Sequence, residues 1–128
     1  MPSTFIKTFV PTAEVAVESE EGHVSVRAIL NPSLTTSRVS KSFIRENRFG
    51  TFEIDDRSYV KVTLMPNMNS CVKYNLCMLV TAELPKTPYT SPFKETIKDK
   101  FDRIALADPT FTSDSPVYME IGGDLPKQ

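Results

Sequence analysis

The chain predicts a mainly β domain with two short helices, on three observations. Several segments alternate apolar and polar residues at the two-residue period of a half-buried strand. Turn formers separate them at short intervals, and only two stretches carry apolar residues at helical spacing. At 128 residues and 40% hydrophobic composition, the chain is long enough for one domain with a real core, and too short for two.

In order, residues 11–18 (PTAEVAVE) alternate as a strand, SEEGH is a turn, and 24–30 (VSVRAIL) is a second strand, which together predict a β-hairpin. The second strand ends in Ala28, Ile29 and Leu30, three apolar residues in a row, so its end is expected to be buried on both faces. NPSLTTS (31–37) is a tight loop of turn formers. Thr36 or Ser37 is placed to cap a short helix, with Val39, Phe43 and Ile44 facing inward. TFEI, the turn DDRS (55–58) and YVKVTLM predict a second hairpin. Residues 70–83 read as the longest strand: Val72, Tyr74, Leu76, Met78 and Val80 share one face, and Cys71, Cys77, Leu79 and Thr81 the other. Its apolar C-terminal half predicts a central place in a sheet. Three prolines keep LPKTPYTSP (84–92) irregular, as a surface crossover. Ser91–Pro92 starts a helix whose Phe93, Ile97, Phe101 and Ile104 face the core, with Asp99 and Arg103 an i,i+4 pair. ADPTFTSDSP is a loop, and VYMEI (117–121) is a last short strand running into Gly122, Gly123 and Asp124.

Composition removes several function classes. Fifteen Lys and Arg against sixteen Asp and Glu give a net charge of −1, with no excess to neutralise a phosphate backbone, so no direct nucleic-acid binding is expected. No apolar run approaches the roughly 18–20 residues that span a bilayer. MPSTFIKTFVPTAEV lacks the basic start and long apolar stretch of a secretory signal. With ten Pro and four Gly, the chain lacks the glycines of a phosphate-cradling loop.

Cys71 and Cys77 stand six residues apart in strand-like sequence, roughly 20 Å along it, whereas a disulfide needs Cα atoms within about 7 Å. Free thiols fit a reducing compartment, so an intracellular (cytoplasmic or nuclear) location is expected. Buried strand cysteines are favoured over a Cys–His catalytic pair. His23, after Gly22 in SEEGHVSV, reads as a surface turn residue. Cys71, Cys77 and His23 do not supply the roughly four ligands of a zinc site, so no metal or other cofactor is expected.

Two places share one plan, an apolar strand running into a sharp loop: VRAIL-NPS (26–33) and VYMEI-GGD (117–124). With PTAEVAV in front, RVSKSFI after the first loop, then ELPKTP and IALADPTFTSDSPVYMEIGGDL, the chain resembles the retropepsin-like (retroviral-type aspartic protease) domain of Bel/Pao-type retrotransposon polyproteins. Corresponding family stretches read like RALLDSGSQ and LADP…LLLGAD, and the resemblance covers roughly residues 9–125. It implies a single retropepsin-like domain over 9–125, with tails at 1–8 and 126–128. The implied fold is mainly β, a closed β-barrel or sandwich with one or two short α-helices. In that fold the first loop carries the catalytic Asp-Ser/Thr-Gly, and two subunits meet through their strand-end loops.

Here the triplet is degenerate. Asn31 stands where the resemblance puts the catalytic aspartate, Pro32 where a hydroxyl belongs, and Ser33 where glycine belongs. The family's chemistry needs two carboxylates sharing a proton, one as base and one as acid. An amide does not titrate there, and loss of general acid–base help alone costs about 10²–10⁴-fold. Pro32 removes the hydroxyl that grips the partner subunit, and Ser33 adds a side chain where backbone should lie against substrate. Residues 46–58 look too short for a substrate-covering flap. Asn31 alone is compatible with deliberate inactivation, but three departures together favour natural decay.

The other constellations read as structural. Asp55 and Asp56 form a solvated turn, Asp108 and Asp114 flank a loop with no further metal ligands, and Lys94, Lys98 and Lys100 form a solvated helix face. Ser33 has no histidine near it in sequence to activate it. The expectation is therefore a non-enzymatic homodimerisation and protein-interaction module, with Asn31, Pro32, Ser33, Leu34, Thr35, Gly122, Gly123, Asp124 and Leu125 at the dimer interface and no catalytic residue. The ending GGDLPKQ suggests part of a longer, retroelement-derived scaffold with further protein partners through its flanks. The alternatives are an aspartic endopeptidase if the native residue 31 is aspartate, a remnant peptide-binding cleft, and a monomeric β domain that adds a partner's strand at an open edge.

Overall fold

The computed structural model describes residues 11–66, 71–82, 84, 97, 99–101 and 117–125. Seven strands and one helix are defined among them: β1 (Thr12–Ser19), β2 (Gly22–Leu30), β3 (Arg38–Ser40), α1 (Lys41–Glu46), β4 (Phe52–Ile54), β5 (Arg57–Met65), β6 (Tyr74–Thr81) and β7 (Met119–Ile121). The strands order as β1-β2-β7-β3-β6-β5-β4, and β5 also pairs with β1 through Ala16↔Met65 and Val17↔Leu64. That pairing closes six strands into a barrel, with β4 hanging from β5 outside the ring. The expected class, mainly β with a closed barrel and a short helix, is the observed one.

The two predicted hairpins form with two-residue turns. Glu20 and Glu21 join β1 to β2 ahead of Gly22 at φ +123°, a value that favours glycine. Asp55 and Asp56 join β4 to β5 with φ of 50° and 64°, the left-handed pair a tight hairpin requires. Both aspartates are exposed, as a solvated turn should be.

Alternation supplies the core. Ala13, Val15 and Val17 of β1, Val26, Ala28 and Leu30 of β2, Val60, Val62 and Leu64 of β5, and Tyr74, Leu76 and Met78 of β6 fill the barrel. Ala28, Ile29 and Leu30 are all buried, as the unbroken apolar run predicts. Ile97 and Phe101 join the same cluster, with Phe101 N–H donating to the Ile97 carbonyl at 3.0 Å in one helical turn. Phe93, Lys94, Lys98, Arg103, Ile104, Asp108 and Asp114, the proline-rich stretch after Leu84 and the two terminal tails lie outside the described residues.

Four expectations need correction. The helix after the 31–37 loop begins at Lys41, capped by the Ser40 side chain and not by Thr36 or Ser37. Val39 is buried in a strand, because residues 38–40 run between β6 and β7. The 70–83 segment forms strand only over Tyr74–Thr81, so β2 and β5 are longer, although β6 is central as expected. Both cysteines are free and exposed, not buried. Cys71 precedes β6, and Cys77 pairs in register with exposed Lys61, so its parity is that of the outer wall.

Candidate functional site

The two strand–loop units singled out in the sequence are neighbours in space. β7 runs parallel to β2 (Leu30↔Ile121) and antiparallel to β3 (Val39↔Met119), so it lies between the strands on either side of the 31–37 loop. The loop therefore arches over the end of β7 and meets the turn that follows it.

Hydrogen bonds interlock the two. Asn31 N–H donates to the Ile121 carbonyl at 2.8 Å, and Gly123 N–H to the Leu34 carbonyl at 2.8 Å. Ser37 donates through its hydroxyl to Asp124 Oδ1 at 2.6 Å and through its backbone to Oδ2 at 3.0 Å, while its Oγ accepts from Gly122 N–H at 2.9 Å. At Gly122 an added Cβ would collide with the Leu34 carbonyl, so a side chain there would prise the loops apart. Of the nine expected interface residues, Asn31, Leu34, Gly122 and Gly123 are joined directly, and Asp124 is joined through Ser37. Pro32 approaches Gly123, Leu125 packs against the core, and Ser33 and Thr35 are exposed on the loop.

The Asn31 side chain is engaged by its own chain. Oδ1 accepts from Ser33 N–H at 3.0 Å, an Asx turn that shapes the loop, and Nδ2 donates to Glu120 Oε2 at 2.8 Å. Glu120 is the residue the sequence reading missed. It is 4% exposed, it sits opposite Arg38 in the β3–β7 register, and its Oε1 is ion-paired with Arg38 Nη2. Its signal was available, a lone acid inside the apolar strand VYMEI, but its partners lie 82 and 89 residues away. A buried carboxylate persists only when paired and hydrogen-bonded, and Arg38 and Asn31 meet both conditions.

Both nearby acids are engaged within the chain. Glu120 is enclosed with both oxygens engaged, and both oxygens of Asp124 are held by Ser37. His23 sits at the opposite end of β2, roughly 25 Å along the strand, so it does not activate Ser33. Among the described residues no group of three or more His, Cys, Asp or Glu is placed to hold a metal ion, and no helix is long and apolar enough to cross a membrane. No family model, curated protein or solved structure matches the chain.

Proposed function

We propose that the domain is a catalytically inert, retropepsin-like interaction module. It pairs with a second copy through the 31–36 and 122–125 loops, inside a larger intracellular protein derived from a retroelement. One observation carries this reading: at the end of the strand where the resemblance expects an acid, Asn31 presents an amide tied inward to Glu120, within a loop clasped to the Gly122–Leu125 turn. Such an amide neither accepts nor returns a proton, and Glu120, paired with Arg38, does not replace the missing acid. The rim left for a twin is Pro32, Leu34 and Leu125, all half-buried, with exposed Ser33 and Thr35 around it. A symmetric pair would bury this patch on both subunits. The free thiols of Cys71 and Cys77 fit a reducing compartment.

Sedimentation equilibrium tests the pairing, and peptide turnover tests the inertness. The expected result is a micromolar dimer that Leu34→Glu dissociates, with no turnover. A monomer at high micromolar concentration, or cleavage of peptide, contradicts the reading. A second reading, strand addition by a partner, is favoured by β4, which among the described residues pairs only with β5 and carries Ile54 at 52% exposure.

A further inference from the structure

A concave pocket of about 280 Å³ opens between α1, the chain that follows it and the outer wall, away from the clasped loops. Its rim carries three cations, Lys41, Arg45 and Arg48, and apolar surface comes from Ile44, Phe49 and Val80. Among the described residues none of the three cations has an ion pair or a side-chain hydrogen bond.

Local structure alone does not account for all three cations. Lys41 opens α1, and no acid occupies the first turn, so its charge opposes the positive end of the helix dipole. Arg45 lies four residues on, on the same helix face, which makes a repulsive like-charge pair. Arg48 follows the C-cap Asn47 with φ 58°, in the left-handed region where glycine is the favoured helix-ending residue. The helix dipole accounts for a cation at Arg45 or Arg48 but not at Lys41. What the three share is the pocket.

We infer that this pocket is a docking site for an acidic segment of a partner protein that carries one apolar anchor side chain. Carboxylates of the segment complement Lys41, Arg45 and Arg48, and the anchor seats against Ile44, Phe49 and Val80. Charge complementarity selects the partner and the apolar surface fixes its register. None of these residues belongs to the strand-end loops, so the inference stands independently of how those loops pair.

The test is fluorescence anisotropy with a labelled peptide of Asp and Glu around a single Phe. Saturable micromolar binding is expected, weakened by salt. Replacing the peptide's Phe with Ser, or its acids with amides, weakens it about tenfold or more, as does the Lys41→Glu/Arg45→Glu double variant. Lys100→Glu, an exposed cation on another segment, leaves it unchanged. Arg48→Gly gives a second readout: it weakens binding without lowering the unfolding temperature, because glycine accepts the left-handed backbone. The inference is overturned by absence of saturable binding, by undiminished binding to the double variant, or by an oligonucleotide that outcompetes the peptide.

Discussion

Asn31 Nδ2 donates to Glu120 Oε2 at 2.8 Å, joining the loop after β2 to the strand that runs beside it. Glu120 in turn is ion-paired with Arg38 on the far side of β7, so one buried carboxylate ties together all three strands under the loop. The position expected to perform proton chemistry is part of a structural network.

Truncating the centre of that network should be costly. Glu120→Ala leaves the Arg38 guanidinium without its partner and is expected to destabilise the fold by about 3 kcal/mol, read from denaturant unfolding. An Arg38→Met/Glu120→Leu double variant is expected to lose less than the sum of the two single changes, since no charge is then left unpaired.

Restoring an acid should not restore an enzyme. Asn31→Asp sets a carboxyl group against the Glu120 carboxylate at hydrogen-bond distance, and like charges that close do not both ionise readily. The variant is expected to show no peptide turnover and a lowered unfolding temperature at neutral pH, relieved as the pH falls far enough to protonate one of the pair. Adding Glu120→Gln should remove that pH dependence.

The clasp between the loops depends on the missing side chain of Gly122. Gly122→Ala drives a methyl group into the Leu34 carbonyl and is expected to cost about 1–3 kcal/mol, measured by thermal unfolding. The Gly123 to Leu34 hydrogen bond should weaken with it, seen as faster amide exchange at Gly123.

Acid titration has a defined sign at Glu18. The hydrogen bond from Lys73, aided by its charge and that of His23, outweighs desolvation and holds this carboxyl below its ordinary value of 4.5. A lowered folded value means a stabilising contribution that is full above the unfolded value and lost as pH falls through the folded one. Carboxyl NMR titration should place the Glu18 midpoint lower in the wild type than in Lys73→Met.

Local pattern explains what was legible in the sequence. The Thr12–Leu30 hairpin, the Ala28–Leu30 burial, the β4–β5 hairpin and the outward turn at Asp55–Asp56 all follow from alternation, apolar runs and turn chemistry within a few residues. At Val39 the local pattern misleads, because RVSKSFI offers apolar residues at 39, 43 and 44, a spacing a helix also satisfies. Pairing with β6 and β7, remote in sequence, decides for strand. Cys77 is exposed against expectation because hydrophobic character alone does not tell the inner wall of a barrel from the outer. The Asn31–Glu120–Arg38 network escaped for the same reason as Val39, since each contact spans more than half the chain.

Disulfide capture across the proposed two-fold axis is the most direct test of pairing. With Cys71 and Cys77 replaced by serine, a Ser33→Cys variant under mild oxidation should form a covalent dimer rapidly, while a Ser25→Cys control on the barrel wall should stay monomeric. Failure of the loop thiol to cross-link, or equal cross-linking by the control, would contradict the claim that these loops meet their twin.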